Sequence, residues 1–114
     1  MNNDCLFCQI VAGQLPARVA FQNDTITVIH DINPQAPTHL LIIPRRHLTS
    51  VAEAQSGDAQ LLGELLQTGA QLARDAGLER GYRLVINTGA EGGQSVAHLH
   101  VHLLGGRPMG WPPG

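Results

Sequence analysis

The sequence predicts an α+β domain in which short strands in antiparallel order surround one long helix. Two observations support this fold class. Segments rich in β-branched and aliphatic residues recur between turn residues, and one stretch over residues 58–76 has helical periodicity. The length of 114 residues, with 43% hydrophobic and 14% charged residues, fits a single globular domain that spans residues 1–114.

The N-terminal half is predicted to hold one short helix and three strands. An apolar segment over residues 5–12, followed by Gly13, is typical of a short helix with a glycine stop. The next two apolar segments flank the turn Asn23-Asp24 and predict a hairpin. A third segment is strongly apolar and ends at Pro44. The three predicted strands span residues 18–22, 25–30 and 39–43.

The C-terminal half begins with the long helix, predicted over residues 58–76. Its leucines lie mostly three or four positions apart and form one apolar stripe. Gly63 and Gly69 within it cost up to about 1 kcal/mol each relative to alanine, and we expect them to let a second helix approach, as in a dimer. Strands are predicted over residues 82–87 and 98–104, and the tail after them has no regular structure.

Three histidines alternate with apolar residues in the last predicted strand. Residues two apart in a strand point to the same face, so His98, His100 and His102 share one face and the leucine and valine residues between them form the core face. The preceding segment, residues 89–95, is glycine-rich and ends in Gln94 and Ser95. A flexible turn with backbone donors beside three imidazoles indicates a site for a phosphate group.

Two kinds of chemistry fit these histidines. The imidazoles could bind a metal that activates water, because His-x-His on a strand is a sound metal pair. Alternatively, His100 attacks phosphorus directly, since an imidazole is largely neutral at pH 7. His98, His102 and Ser95 would then stabilise the oxyanion or protonate the leaving group. The second interpretation also accounts for the polar turn.

Charge and composition exclude several classes of partner. A net charge of −2 argues against a broad nucleic-acid surface, although one nucleotide needs only a few local donors. Residues 1–4 do not resemble the start of a signal peptide, and no apolar run approaches the ~20 residues of a membrane span. We therefore expect a cytoplasmic protein that acts without nucleic acid or membrane partners.

The stretch from His98 to Leu104 fits the signature of the histidine triad superfamily, His-φ-His-φ-His-φ-φ with φ apolar, at every position. Other segments resemble the Hint branch of that superfamily, the histidine triad nucleotide-binding proteins. They cover nearly the whole chain: residues 30–32, 34–39, 43–47, 81–83, 87–89, 92–96, 104–107 and the ending Trp111-Pro112-Pro113-Gly114.

This resemblance implies a fold and an activity. The fold is a five-stranded antiparallel sheet with one long and one short helix, which dimerises into a continuous sheet. The activity is hydrolysis of purine nucleoside 5′-phosphoramidates, of the AMP or GMP type, or of aminoacyl-adenylates. His100 would form a nucleotidyl-histidine intermediate without any cofactor, and His98, His102 and His39 would assist it.

The resemblance also implies the nucleotide-binding residues. Asp31, at a strand end, would accept hydrogen bonds from both ribose hydroxyls. Trp111, in the tail 105–114, would reach the partner subunit's site and complete it. The phosphate would contact Asn87, Gly93, Gln94, Ser95 and Val96, and the base would lie among Phe7, Ile10, Ile29 and Ile32.

Cys5 and Cys8 lie two residues apart, a partial zinc pattern. Where related proteins have this pair, a structural zinc is completed by histidines corresponding to His47 and His98. Four protein ligands would close the site and make it structural. Buried free thiols in an ordinary core are the alternative interpretation.

Three alternative functions stay open beside the phosphoramidase. The chain could be a nucleotide-binding interaction module, a dinucleoside polyphosphate hydrolase or a metal-dependent hydrolase. The tail argues against the polyphosphate hydrolase, and activity that survives metal removal would exclude the metal-dependent one.

Overall fold

A computed structural model describes residues 5–114 as a five-stranded antiparallel sheet with the strand order β1-β2-β3-β5-β4. The expected α+β fold is confirmed. Two short 3-10 turns, at Val51–Glu53 and Ser56–Asp58, precede the long helix. The regular elements are α1 (Leu6–Val11), β1 (Val19–Gln22), β2 (Ile26–His30), β3 (Thr38–Pro44), α2 (Ala59–Asp75), β4 (Tyr82–Val85) and β5 (Val101–Gly105).

The predicted hairpin is formed by β1 and β2. Asn23 holds its turn, because the side-chain Oδ1 accepts hydrogen bonds from the backbone N–H groups of Thr25 and Ile26 at 2.9 and 2.8 Å. The β-branched residues of β2 then pair in register with β3, with Val28 opposite Ile42. β2 thus joins the edge strand β1 to β3, the central strand of the sheet.

The helix α2 covers one face of the sheet. Its buried residues Leu65 and Ala73 pack with Val28, Ile42 and Leu103 in one hydrophobic core. Apolar burial of this kind contributes roughly 25 cal/mol for each Å² removed from water. The hydrophobic stripe read from the sequence is therefore the face that α2 presents to the sheet.

Gly69 serves this packing and not a second helix. A Cβ atom at Gly69 would lie 2.9 Å from Leu84 Cδ2 and 3.0 Å from Ile42 Cδ1, both on the sheet. A Cβ atom added at Gly63 would have no neighbouring atom within 4 Å. The expectation that Gly69 accommodates another helix is wrong, because the sheet of the same chain already occupies the space.

The short helix α1 covers the other face. Cys5, Phe7 and Cys8 are buried there against Leu41 and Ile43 of β3. Alternate residues of β3 thus face different cores, as the two-residue period of a strand requires. The site lies on this α1 side of the sheet.

The last strand begins later than predicted. Only residues 101–105 pair as β5, whereas residues 98–100 precede it as irregular chain. The Leu99 N–H donates to the carbonyl of Leu48, a long-range bond that sequence periodicity does not reveal. The alternation of faces persists nevertheless, since Leu99, Val101 and Leu103 belong to the α2-side core.

Among residues 5–114, no helix is both long and apolar enough to cross a membrane.

Candidate active site

His100 is held in one tautomer by the backbone. Its Nδ1 lies 2.7 Å from the carbonyl oxygen of His98. Because a carbonyl oxygen only accepts, Nδ1 must carry the proton. The lone pair of the neutral ring is therefore on Nε2, which is the arrangement that a nucleophilic imidazole requires.

His39 and His102 form a directed chain of hydrogen bonds. The backbone N–H of Gln35 donates to His39 Nδ1 at 3.0 Å, so the proton of neutral His39 lies on Nε2. His39 Nε2 then donates to His102 Nδ1 at 2.9 Å. His102 consequently carries its proton on Nε2 and can donate it to a bound ligand. The ring centres of His100 and His102 lie 4.9 Å apart.

Asp31 supplies negative charge beside these rings. Its Oδ2 lies 3.4 Å from His39 Nε2, and its Oδ1 accepts from the backbone N–H of Asn33 at 2.7 Å. The side chain is 19% exposed, so part of the carboxylate faces solvent. An acidic group in this position can accept a further hydrogen bond from a ligand hydroxyl.

Burial keeps the histidines neutral. Desolvation lowers the pKa values of His39, His98 and His100 below 6.5. For His102, burial and then the neighbouring His100 and His39 lower the pKa to about 4. All four rings are therefore uncharged at pH 7, with lone pairs available for attack or for coordination.

The glycine-rich turn after β4 is braced from within. Asn87 Nδ2 donates to the Gly92 carbonyl at 2.7 Å, and Gly93 has a φ of +77°, a conformation that favours glycine. A Cβ at Gly92 would clash with the Thr88 carbonyl oxygen. The turn can therefore bring its backbone close to a ligand.

Gln94 belongs to this bracing. Its Oε1 accepts from the Gly89 N–H at 2.9 Å, and its Nε2 donates to the carbonyls of Thr49 and Val96 at 2.6 and 3.0 Å. Both ends of the amide are already bonded, so this side chain braces the turn, and the phosphate contact at Gln94 stays a prediction. Within residues 5–114, the exposed Ser95 hydroxyl and the Ser95 and Val96 amides have no protein partner, so they are free to meet a ligand.

The residues expected to contact the base lie at very different depths. Phe7 and Ile29 are only 4% and 5% exposed, whereas Ile32 is fully exposed and Trp111 is 86% exposed. Ile10 is intermediate. Phe7 lies edge-on to His100, with ring centres 5.0 Å apart. The structure therefore places Phe7 beneath His100 and leaves Ile32 and Trp111 as open apolar surface.

Cys5, Cys8, His47 and His98 converge on one point. Their ligand atoms all lie within 4.8 Å of one another. The Sγ atoms of Cys5 and Cys8 lie 3.2 and 3.5 Å from His98 Nδ1, the Cys8 Sγ lies 3.2 Å from His47 Nδ1, and the two Nδ1 atoms are 3.1 Å apart. Tetrahedral zinc with ordinary bond lengths separates its ligands by roughly 3.3–3.8 Å, so the spacing suits this ion.

The tautomer of His98 also fits a metal. Its Nε2 lies 2.8 Å from the Pro44 carbonyl and must donate to it, which leaves the Nδ1 lone pair facing the thiols. A ligating histidine commonly donates its other N–H to a carbonyl in this way. The four residues can therefore hold a structural zinc. The expected contact of His98 with phosphate is not met, because its side chain is completely buried in this cluster.

A second group, Asp31, His39 and His102, has metal-ligand residue types within the same distance limit. Here, however, the Gln35 N–H occupies His39 Nδ1, which places a proton on the Nε2 atom that would have to bind the metal. Hydrogen bonding accounts for this group without an ion.

Sequence reasoning missed three residues that act through their backbones. Gln35 sets the His39 tautomer, Pro44 sets the His98 tautomer and Thr49 anchors the Gln94 side chain. No side-chain signal marks such positions, because every residue has a carbonyl and nearly every residue has an N–H.

Comparison with known proteins agrees with this geometry. A 14 kDa zinc-binding protein of Zea mays is 49% identical over 115 residues, which cover 99% of this chain and 90% of the maize protein. A HIT family hydrolase of Legionella pneumophila has a TM-score of 0.95 at 51% identity, with 96% of this chain and 99% of that chain covered. A histidine triad nucleotide-binding protein of Candida albicans has a TM-score of 0.81 at 28% identity, with 95% and 82% covered.

The family model described as the HIT domain matches residues 12–109, which include α2, the whole sheet and the three histidines. With the relatives above, this match confirms the resemblance read from the sequence: the chain belongs to the HIT domain family.

Proposed function

We propose that the chain hydrolyses the P–N bond of purine nucleoside 5′-phosphoramidates, or the P–O bond to the acyl group in aminoacyl-adenylates, through a covalent nucleotidyl-His100 intermediate. The main support is the His100–His98 hydrogen bond of 2.7 Å, which leaves the Nε2 lone pair on a neutral ring. The hydrolase of Legionella pneumophila is named as a member of the same family.

In the first step His100 Nε2 attacks the α-phosphorus, and a P–Nε2 bond forms as the P–N bond to the amine breaks. The amine leaves with a proton relayed from water by the Ser95 hydroxyl. His102 donates from Nε2 to a phosphoryl oxygen, as its neutral state and tautomer allow.

In the second step water attacks the same phosphorus. The P–Nε2 bond breaks, its electron pair returns to His100, and the proton of water leaves to solvent. The products are a nucleoside monophosphate, the free amine and neutral His100. No metal ion takes part in either step, since His39, His100 and His102 have the hydrogen-bonding roles described above.

The nucleotide is held by groups around this centre. Asp31 accepts from the ribose hydroxyls, and Asn87, Gly93, Ser95 and Val96 surround the phosphate through the braced turn. Ile10 and Ile32 contact the base, with Phe7 and Ile29 as its buried floor. A pocket made of apolar contacts discriminates weakly between adenine and guanine. The Candida albicans relative is named a nucleotide-binding protein.

We propose a homodimer in which β4, an edge strand of the sheet, pairs with the same strand of a second copy. Tyr82, Ile86 and Trp111 are exposed apolar side chains that such an interface would cover. The tail 105–114 would then bring Trp111 to the partner's site. Sedimentation of the wild-type protein at micromolar concentration, compared with a variant that charges the exposed side of β4 such as Tyr82→Arg, tests this arrangement.

A structural zinc at Cys5, Cys8, His47 and His98 completes the proposal. The maize relative is named a zinc-binding protein. When bound, the ion supplies charge and four ligand bonds that tie α1 to the chain before β5. It has no open position for substrate, because four protein ligands close the site.

Turnover of adenosine 5′-phosphoramidate carrying a fluorescent amine tests the function. We expect the wild-type protein to release the amine and His100→Ala to release none while still binding AMP. Diadenosine polyphosphate serves as the competing substrate. Faster turnover of the polyphosphate would favour the alternative hydrolase, and nucleotide binding without any turnover would favour an interaction module.

A further inference from the structure

The helix α1 is too short to be stable alone. It has six residues, whereas isolated helices shorter than about 12–15 residues are marginal in water. Cys5 caps it, because the Cys5 Sγ accepts from the Cys8 N–H at 3.2 Å. The position of α1 therefore depends on what Cys5 and Cys8 bind and on what Phe7, which lies between them, packs against.

Phe7 packs against two histidines with different tasks. Its ring lies edge-on to His98 at 6.0 Å and to His100 at 5.0 Å between ring centres, with interplanar angles of 72° and 87°. At 4% exposure it fills the space beneath both rings. Any displacement of α1 therefore removes the surface on which the His100 ring rests.

His98 touches the nucleophile through its backbone. Its side chain lies in the Cys5, Cys8 and His47 cluster, while its carbonyl accepts the His100 Nδ1–H. A rotation of the His98 ring out of the cluster would break its Nε2–H bond to the Pro44 carbonyl and so remove one of the bonds that anchor residue 98. The cluster thus reaches His100 by two routes, through Phe7 and through the His98 backbone.

We propose that the cysteine–histidine cluster positions the catalytic nucleophile, so that occupancy of the metal site controls turnover. Phe7 and His98 are the positioning residues: they hold the His100 ring with Nδ1–H on the His98 carbonyl and the lone pair on Nε2. The inference rests on the proposed nucleophilic role of His100. It makes turnover sensitive to chelators and thiol reagents although no metal takes part in the reaction.

This role differs from general support of the fold. A purely structural metal would change thermal stability and leave the chemical step of the folded protein unchanged. A positioning role lowers kcat far more than it changes KM, because the ribose and phosphate contacts lie on Asp31 and the braced turn and only part of the base contact, at Phe7 and Ile10, lies on α1. Misplacement of a reacting group by about 1 Å costs on the order of a hundredfold in rate.

The test compares the zinc-loaded wild type with Cys8→Ser and Phe7→Leu, using Leu66→Ala on the exposed side of α2 as the control. Zinc content is measured by mass spectrometry, and kcat and KM with the fluorescent phosphoramidate. The ¹⁵N–¹H signal of His100 Nδ1, assigned with His100→Gln, reports the hydrogen bond to His98 independently of activity.

We expect Cys8→Ser to lose zinc, to lose the His100 Nδ1–H signal and to lower kcat about ten- to hundredfold with a much smaller change in KM. Phe7→Leu keeps all four ligands and its zinc, yet weakens the same signal and lowers kcat. It also keeps the test informative if Cys8→Ser does not fold. Leu66→Ala matches the wild type.

A zinc-free Cys8→Ser protein with wild-type kcat and an unchanged His100 signal would overturn the positioning role. So would a Phe7→Leu protein with both properties unchanged. If the zinc-loaded wild type does not hydrolyse the phosphoramidate, the proposed function fails instead, and the NMR signal still decides whether the cluster positions His100.

Discussion

His39 Nε2 donates to His102 Nδ1 across 2.9 Å, and this bond determines where His102 keeps its proton. On the other side of the His39 ring, the Gln35 N–H donates to Nδ1, so each hydrogen bond of the series donates in the direction of His102. The backbone N–H of Gln35, two hydrogen bonds away from His102, thus decides whether His102 can donate from Nε2 to a ligand.

Replacement of His39 tests this chain. His39→Ala leaves His102 free to adopt either tautomer, and we expect kcat to fall about ten- to hundredfold. In His39→Gln an amide provides both an acceptor and a donor, so it should recover part of the loss. Steady-state kinetics measures both, with His30→Gln as the control. Equal activity in His39→Ala and wild type would show that the Gln35–His39–His102 hydrogen bonds do not contribute to catalysis.

Acidification should destabilise the fold before it charges His102. In the unfolded chain a histidine takes up a proton near pH 6.5, whereas burial and the rings of His100 and His39 hold the pKa of His102 at about 4. The unfolded state therefore binds more protons between these values, and stability falls as pH falls.

The loss is about 1.4 kcal/mol per pH unit, and at most about 3 kcal/mol between pH 6.5 and pH 4 from this residue. Urea unfolding at several pH values measures it. His102→Gln should reduce the slope of stability against pH only in part. The pKa values of His39, His98 and His100 are also lowered, so these residues contribute to the same loss of stability on acidification. Asp31 faces the same rings and stays in place in both proteins. An unchanged slope of stability against pH in His102→Gln would contradict a lowered pKa for His102.

Gln94→Glu should loosen the glycine-rich turn. The carboxylate cannot donate to the Thr49 and Val96 carbonyls, so we expect a loss of about 1–3 kcal/mol of stability together with lower turnover. Denaturant unfolding and kinetics check both effects. Glu91→Gln, on the exposed part of the same turn, is the matched control. A raised KM at unchanged stability would show instead that Gln94 contacts the phosphate.

Two glycines of α2 should respond to alanine in opposite directions. Gly63→Ala places a methyl group in open space and gains helix propensity, so we expect stability to rise by up to about 1 kcal/mol. Gly69→Ala forces Leu84 and Ile42 to move, which typically costs about 1–3 kcal/mol. Thermal unfolding of the two variants is the measurement. A similar change in both would mean that the sheet does not limit α2 at Gly69.

The sequence was most informative where periodicity decides structure. The leucine stripe of α2 and the Asn23 turn of the hairpin are local patterns, and both appear as predicted. The start of β5 was misjudged, because residues 98–100 are shaped by bonds to Pro44 and Leu48, far away in the sequence.

The site was foreseeable in its residue types and less so in their tasks. The spacing of Cys5 and Cys8 and the alternation of the histidines identified the groups that meet. Gln94 and His98, however, have side chains that suit a phosphate but are used by the protein itself. Which of two compatible partners a polar group takes depends on backbone atoms that residue identity does not reveal.

The place of β5 in the sheet has a consequence for exchange with solvent. This strand lies between β3 and β4, bonded on both sides, whereas the turn over residues 89–97 is bonded mainly to itself. Amides of Val101 and Leu103 should therefore exchange deuterium only when the whole domain unfolds, and those of the turn through small local openings. The protein thus separates a slowly exchanging strand, which begins directly after His100 and carries His102, from a neighbouring turn whose amides exchange quickly.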